Sequence, residues 1–230
     1  MKIIFSDFDK TLYDLNYLNN IKAINKFVEL GNKFVIITGR SLKQLLPDIK
    51  DYNIKYDYLI CNDGGTIYNK NKKEIYKVNI EEDVVKDIYY LLKEDRSINN
   101  CYIDTSTYFT DDLNSQANGI IGTYNDYNKA YKLLIKILEK YPNVTGYLSD
   151  NWVNIKSVKA TKDQAIKYLI NNLKIDRKNV ITVGDSINDL SMLLKYDGYC
   201  MSCSKEEIKK KIKKEINTLE ELIEKIKDED

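Results

Sequence analysis

The chain has 230 residues, a formal net charge of +1 and no histidine. This length allows one large domain or two modest ones, and the near-neutral charge gives no electrostatic case for a nucleic-acid or membrane partner. The absence of histidine excludes Ser-His-Asp catalysis, Cys-His catalysis and histidine-ligated zinc. Any chemistry must therefore come from carboxylates, lysines, hydroxyls, thiols and a hard metal ion.

Export and membrane signals are not evident in the sequence. No apolar run approaches the roughly 20 residues that span a bilayer, and the N-terminus leads directly into a predicted strand rather than a signal peptide. We therefore predict a cytoplasmic protein in which the four cysteines are reduced thiols. The Cys200-Met-Ser-Cys203 spacing also fits a redox or metal pair, but without further ligands nearby we interpret these residues as structural thiols.

The N-terminal stretch carries the strongest chemical signal. Ile3, Ile4 and Phe5 form a short apolar run, which is typical of a strand buried on both faces of a parallel sheet. Asp7 and Asp9 follow where this strand should end, at the edge where open α/β sheets bind ligands. Two crowded carboxylates need a cation or a shared proton, although an Asp-rich turn is a structural alternative.

The next part of the chain alternates between strands and helices. The predicted elements are a helix over 18–30 ended by Gly31, a strand over 33–38, a helix from Ser41 with Gln44 completing a capping box and Pro47 shortening it, a strand over 58–62, and a hairpin over 66–78. This βαβαβ order predicts a right-handed, parallel, doubly wound sheet.

The pattern changes in the middle of the chain and then returns. The middle elements are helices over 81–95 and 127–140 and strands over 101–104, 107–110, 120–124, 144–148 and 152–155. The later elements are a helix over 161–173, a strand over 180–185, a helix through 190–194, a short strand over 199–202 and two amphipathic helices. We predict a mostly parallel α/β core built from residues 1–77 and 157–230, with an α+β domain inserted at 78–156.

Polar residues also follow two further predicted core strands. Thr38-Gly39-Arg40 ends the second strand, where a hydroxyl and backbone N–H groups suit a phosphate, although a Thr-Gly turn can simply cap the next helix. Asp185 and Asp189 are four residues apart across a strand–helix junction. Both can face a metal ion there, or they can stabilise the helix N-terminus.

Lys162 is the fourth candidate. Thr161 and Gln164 predict a capping box, which places Lys162 in the first helical turn, where its charge opposes the helix dipole. One lysine among many carries little information by itself. It becomes a candidate only together with the other three sites, which contain Asp7 and Asp9, Thr38, and Asp185 and Asp189.

Together, these residues resemble the motifs of the haloacid-dehalogenase superfamily of phosphohydrolases. The similar segments, in the superfamily's order, are Asp7-Phe-Asp9-Lys-Thr11, Thr38-Gly39-Arg40, Lys162, and Gly184-Asp185 with Asn188-Asp189. The insertion after the third strand resembles the cap of Cof-type, class IIB members, which sets substrate specificity. Two positions depart from that subfamily: Asp63-Gly64-Gly65 stands where Asn-Gly-Ala is common, and Asp163 stands where glycine usually follows the lysine.

The resemblance implies a role for each matching residue. Asp7 would be the nucleophile that forms an aspartyl-phosphate, and Asp9 the acid and base, with Lys162 as the third catalytic residue. The implied phosphate or substrate ligands are Thr11, Thr38, Gly39, Arg40, Lys162 and Asn188, of which Asn188 would contact either Lys162 or the phosphate. The implied Mg²⁺ ligands are Asp7, the backbone carbonyl of Asp9, Asp185 and Asp189, the last directly or through water.

The function predicted in this way is a Mg²⁺-dependent phosphatase of small phosphorylated metabolites, such as sugar phosphates or similar phosphomonoesters. Asp9 favours phosphoryl transfer over carbon–halogen cleavage, because the dehalogenases lack an acid there. Two alternatives stay open: a phosphotransferase or mutase acting on sugar phosphates, and a non-catalytic protein that binds a phosphorylated ligand. The sequence leaves the individual metabolite and the choice between monomer and dimer open.

Overall fold

The first apolar run of the sequence forms a fully buried strand, as its composition predicts. In a computed structural model, which describes residues 1–228, every residue of Ile3–Asp7 is buried. The chain forms two units: Met1–Ile75 joins the segment from Thr161 onwards, and Tyr76–Ala160 forms the second unit. The last two residues of the predicted core segment 157–230 lie outside the described part.

The described residues form two sheets. The strands, in chain order, are β1 (Ile3–Asp7), β2 (Lys33–Ile37), β3 (Tyr58–Cys61), β4 (Thr66–Asn69), β5 (Glu74–Lys77), β6 (Ile98–Asp104), β7 (Phe109–Thr110), β8 (Gly119–Tyr124), β9 (Val144–Ser149), β10 (Trp152–Ser157), β11 (Val180–Gly184), β12 (Asp197–Met201) and β13 (Glu215–Ile216). The helices are α1 (Tyr17–Glu29), α2 (Leu42–Ile49), α3 (Glu82–Glu94), α4 (Tyr127–Lys140), α5 (Lys162–Leu173), α6 (Leu190–Lys195), α7 (Glu206–Lys209) and α8 (Leu219–Asp228).

The larger sheet is mostly parallel, which confirms the predicted fold class. Its strand order is β13-β12-β11-β1-β2-β3-β4-β5, and β1 pairs in parallel with both β2 and β11. The chain moves outward from β1 through β2 and β3, and later outward in the other direction from β11 through β12 and β13. The strand order therefore reverses between β1 and β11, the place where doubly wound sheets form a crevice for ligands.

Apolar side chains from two helices cover one face of this sheet. Ile24 and Phe27 of α1 and Leu222 and Ile223 of α8 are buried in one cluster with Ile4 of β1. Because successive residues of a strand point to opposite faces, the neighbouring Ile3 and Phe5 bury the other face. This two-sided burial explains why the strand reads as a continuous apolar run.

The inserted unit is an antiparallel α+β module, as its mixed pattern predicts. Its strand order is β7-β6-β8-β10-β9, with antiparallel pairing throughout. Ile88 and Leu92 of α3 and Leu134 and Ile137 of α4 share a buried cluster with Ile155 of β10. This cluster gives the unit a hydrophobic core of its own. Its assignment as the specificity domain stays a prediction.

Two predicted elements differ from the observed ones more than the others do. Strand β6 begins at Ile98, three residues earlier than predicted. Exposed Asn99 and Asn100 break the apolar alternation of the sequence, yet Asn100 pairs with Thr123 of β8 beyond a bulge at Asn99. The first of the two predicted C-terminal helices is only the four-residue α7. The unpredicted strand β13 follows it and pairs with β12, so backbone pairing overrides the helical spacing of the isoleucines.

The turn after β3 meets the start of α5. Gly64 in this turn has a φ of +101°, and a β-carbon there would lie 2.4 Å from the backbone carbonyl oxygen of Thr161. Gly31, which ends α1 as predicted, has a similar φ of +87° with nothing within 4 Å of its β-carbon position. Of these two glycines, only Gly64 is therefore required for a close approach of two backbone segments.

These two glycines form a matched test. We expect Gly31→Ala to lower the free energy of unfolding by about 1–2 kcal/mol, the usual penalty of the left-handed region. Gly64→Ala should cost about 2 kcal/mol more, because Thr161 must also move. The measurement is denaturant unfolding followed by circular dichroism. Tryptophan fluorescence is less suitable, because the single tryptophan, Trp152, lies in the inserted unit and both glycines lie in the other unit. Equal losses would show that the close approach has no energetic importance.

Candidate active site

Three buried carboxylates meet where β1 and β11 end. Asp7 is the last residue of β1, Asp185 follows β11 directly, and Asp189 ends the single helical turn Ile187–Asp189. Each offers one carboxylate oxygen, and the three oxygens lie within 4.8 Å of one another. The reversal of strand order thus brings together side chains that are nearly 180 residues apart in sequence.

Lys162 supplies the positive charge in this group. It is the first residue of α5, its side chain is fully buried, and its Nζ donates hydrogen bonds of 2.6 Å to Asp7 Oδ1 and 2.6 Å to Asp189 Oδ1. Burial works against the ammonium charge, but the carboxylates of Asp189 and Asp7 outweigh it and raise the pKa of Lys162. The lysine is therefore cationic at neutral pH.

The predicted capping box before Lys162 is wrong. Thr161 is the residue before α5, but its hydroxyl donates to Asp163 Oδ1 at 2.7 Å instead of capping the helix. Asp163 also accepts a hydrogen bond from Lys195 Nζ at 2.9 Å. The position of Lys162 therefore depends on its ion pairs and on the backbone contact with Gly64, rather than on a local cap.

Asp189 has a structural part in the loop after β11. Its Oδ2 accepts the backbone N–H groups of Asp185 at 3.0 Å and Ser186 at 2.9 Å, while its Oδ1 accepts from Lys162. Asp185 accepts from the Thr11 hydroxyl at 3.4 Å and from the Ser186 hydroxyl at 3.0 Å. With both oxygens of Asp189 engaged by N–H donors, Asp7 and Asp185 are the better placed of the three for direct contact with a cation.

Crowding of these carboxylates changes their acidity. Burial first, and then the charge of Asp189, raise the pKa of Asp7 well above its ordinary value, and the same two causes raise the pKa of Asp185. One ammonium faces three carboxylates, so the cluster has an excess of negative charge. Closely spaced carboxylate oxygens are the donors that hard divalent ions prefer, and the residues present fit such an ion.

Asp9 and Arg40 lie beside this cluster and bind each other. The carboxylate of Asp9 accepts hydrogen bonds from Arg40 Nε at 2.9 Å and from Arg40 Nη2 at 2.5 Å, which together form a bidentate salt bridge. Arg40 Nη1 donates to Asp48, a residue to which the sequence assigned no role. Two carboxylates thus engage the guanidinium that was predicted to bind phosphate.

The remaining predicted ligands line the turns after β2 and β11. Thr38 is buried, and its hydroxyl oxygen accepts the backbone N–H of Arg40 at 3.1 Å. Asn188 Nδ2 donates to Asp63 Oδ1 at 2.8 Å, and the same oxygen lies 3.2 Å from where Gly39 would carry a β-carbon. The sequence assigned no role to Asp63, which is buried. The one sequence feature that marked this residue was its departure from the Asn-Gly-Ala pattern of the subfamily.

The cysteine pair has no shared site. Cys200 is buried and its thiol donates to the Ile212 carbonyl at 3.6 Å, whereas Cys203 is exposed and donates to the Lys10 carbonyl at 3.8 Å. Burial raises the pKa of the Cys200 thiol, and partial desolvation, followed by the charge of Asp185, raises the pKa of the Cys203 thiol. All four cysteines are free thiols. The interpretation of Cys200 and Cys203 as structural residues stays a prediction.

Comparison with known proteins now decides the family. Residues 4–143 and 102–221 match the family model of haloacid dehalogenase-like hydrolases. The chain belongs to this family. The resemblance noted in the sequence is thereby confirmed, and the chain is a hydrolase of this superfamily. Every helix in the described part of the chain is too short or too polar to span a bilayer.

Individual relatives cover most of the chain. A provisionally named phosphatase of Buchnera aphidicola subsp. Baizongia pistaciae is 30% identical over 240 residues, covering 91% of this chain and 89% of its own. A phosphoglycolate phosphatase of Picrophilus torridus is 27% identical over 196 residues, covering 84% and 75%. The solved structure of a subclass IIB sugar phosphatase superposes with a TM-score of 0.79 at 19% identity, covering 99% and 98%. This last likeness establishes the fold.

The crowded carboxylates predict an unusual pH dependence of stability. Asp185→Asn should raise the melting temperature in EDTA by about 2–4 °C, because it removes one buried negative charge. Since the pKa of Asp185 is raised in the folded state, the destabilisation is absent below about pH 4 and grows as pH rises towards the raised pKa. The gain of the variant should therefore increase across this window.

Thermal unfolding at a series of pH values in EDTA measures this effect. Asp57→Asn is the matched control, because Asp57 pairs with Lys33 at 2.7 Å and its replacement should lower the melting temperature instead. With a bound divalent ion the order should reverse, since only the wild type retains the full ligand set. A gain that does not vary with pH would contradict the raised pKa of Asp185.

Proposed function

We propose that the protein is a Mg²⁺-dependent phosphatase that hydrolyses small phosphomonoesters through an aspartyl-phosphate intermediate. The observation that carries the proposal is the buried ammonium of Lys162, bound to Asp7 at the edge where Asp185 also lies. A cation beside a carboxylate reduces its repulsion of an anionic phosphate, which allows that carboxylate to attack phosphorus. The names of the phosphatase relatives agree with this chemistry.

Each residue has a part in the proposed reaction. Asp7 attacks the phosphorus, while Lys162 binds one oxygen of the phosphoryl group and offsets the charge that develops on that group. Asp9 gives a proton to the departing oxygen and later takes one from the attacking water. The hydroxyls of Thr38 and Thr11 lie at the same strand ends and serve the phosphate site.

The carboxylates Asp7 and Asp185 would hold the Mg²⁺ ion, together with the Asp9 carbonyl and with Asp189 directly or through water. When bound, the ion supplies Lewis-acid polarisation of the phosphoryl oxygens. The fit rests on the donor set: oxygen ligands only, few in number and negatively charged, which leave room for the water that Mg²⁺ retains.

Substrate choice is assigned to the inserted domain, predicted over residues 78–156. Relatives named for phosphoglycolate and for sugar phosphates indicate small phosphorylated acids or sugars as the first substrates to test. Transfer of the phosphoryl group to an acceptor sugar would use the same residues but would require exclusion of water. Product analysis with an acceptor sugar present separates transfer from hydrolysis.

Removal of the nucleophile tests the proposal directly. The wild type should hydrolyse para-nitrophenyl phosphate with Mg²⁺ and lose turnover in EDTA. Asp7→Asn should lower kcat by at least about 10³-fold, because the neutral amide cannot attack phosphorus. Asp57→Asn makes the same substitution at an ion pair beside the start of β2 and should leave turnover unchanged. Turnover that survives Asp7→Asn would refute the assignment of Asp7.

Replacement of the acid–base residue should reveal the intermediate. Asp9→Asn should lower kcat by about 10²–10⁴-fold, since neither the leaving oxygen nor the water exchanges a proton with an amide. With an ester that has a good leaving group, formation of the phosphorylated enzyme needs little acid catalysis, whereas its hydrolysis still needs the base. Phosphorylated enzyme should therefore accumulate. Mass spectrometry of the acid-quenched protein checks for one added phosphoryl group. Its absence in a variant that still turns over would argue for direct attack by water.

A further inference from the structure

Arg40 links the proposed acid–base residue to a carboxylate on a neighbouring helix. Its Nε and Nη2 bind both oxygens of Asp9, and its Nη1 binds Asp48. The guanidinium also lies over the ring of Phe8, 5.1 Å from the ring centroid. The planar group is therefore fixed at both ends and on one face.

Asp48 is itself held in place. It lies in the last turn of α2, directly after Pro47, and its backbone carbonyl accepts the Tyr17 hydroxyl at 2.9 Å. The Tyr17 ring makes edge contacts with Tyr13 and Tyr52 at centroid distances of 4.8 Å each. Asp48 is thus anchored through its backbone to an aromatic cluster, while its side chain is directed to Arg40.

The solvent exposure of the Asp9 side chain explains why its carboxylate needs a partner that fixes its position. Its side chain is 47% exposed, whereas the side chains of Asp7 and Lys162 are almost fully buried. A half-exposed carboxylate samples several rotamers unless a partner with two donors restricts it. Each oxygen keeps a further lone pair after it accepts from Arg40, so Asp9 remains able to exchange a proton with a substrate.

We propose that Asp48 is a positioning residue for the acid–base step, acting through Arg40 on the carboxylate of Asp9. This inference rests on the proposed phosphatase function and deepens it. In that step Asp7 forms a bond to phosphorus while the bond from phosphorus to the departing oxygen breaks, the Asp9 carboxyl proton moves to that oxygen, and the alcohol leaves. Asp9 remains as the carboxylate that Arg40 holds, and it later accepts a proton from the water that attacks phosphorus.

Phosphate binding by Arg40 is the competing interpretation, and it predicts a different outcome. If Arg40 bound the phosphate, loss of Asp48 would release the guanidinium and strengthen binding of the anion. If Arg40 positions Asp9, loss of Asp48 changes kcat and leaves phosphate affinity unaltered. Inhibition by inorganic phosphate distinguishes the two roles.

The test uses aryl phosphates whose leaving groups differ in their need for a proton. With saturating Mg²⁺, Asp48→Asn should lower kcat on phenyl phosphate by about tenfold and on para-nitrophenyl phosphate by less than about threefold. Arg40→Ala should lower kcat on phenyl phosphate by about 10²-fold, and adding Asp48→Asn to it should have no further effect. Asp48→Glu should restore part of the loss, and Asp57→Asn should match the wild type on both esters.

A second readout does not depend on catalysis. The chain has three arginines, so their side-chain Nε–H signals are readily resolved by NMR. In Asp48→Asn, hydrogen exchange at Arg40 Nε should accelerate, while the signals of Arg96 and Arg177 stay unchanged. Unchanged hydrogen exchange at Arg40 Nε would overturn the inference, because Asp48 would then not restrain the guanidinium.

The outcomes separate the two proposals. An equal loss on both esters, additive effects of the two substitutions, or tighter inhibition by inorganic phosphate would overturn the role of Asp48 while leaving the phosphatase intact. A wild type without Mg²⁺-dependent turnover on either ester would instead overturn the proposed function and this inference with it.

Discussion

The buried ion pairs of Lys162 are the interaction on which the site depends. Asp7 and Asp189 lie in the interior at the end of a parallel sheet, and without the ammonium between them their charges would be neither solvated nor paired. Even with it, negative charge remains in excess, because Asp185 lies in the same cluster. The fold tolerates this imbalance because strands β1 and β11 are buried on both faces and hold the carboxylates in place.

Much of this could be predicted from sequence, because the evidence is local. A short apolar run predicts a buried strand, and the carboxyl ends of parallel strands meet at one edge, so Asp7 and Asp185 were expected to be neighbours. Helix α4 has the predicted bounds, since its apolar residues recur at helical spacing between clear stop signals. The capping box of Ser41 and Gln44 is also observed.

The pairing of side chains could not be predicted, because it depends on contacts between distant segments. Arg40 follows a phosphate-binding pattern in sequence, yet its guanidinium binds Asp9 and Asp48. Asn188 donates to Asp63, which is 125 positions away in sequence. Strand β13 was missed for the same reason, since only the adjacent β12 makes an extended backbone favourable in a lysine-rich stretch that otherwise suits a helix.

The insertion of one unit within the other has a consequence for synthesis of the chain. Strand β1 leaves the ribosome long before β11, so its edge and the Asp7 carboxylate lack their later partners until the chain beyond Thr161 has emerged. The inserted unit has its own core and mostly local pairings, so we expect it to fold first, because local contacts close faster than distant ones. The exposed edge of β1 is then the segment most in need of protection from aggregation during translation.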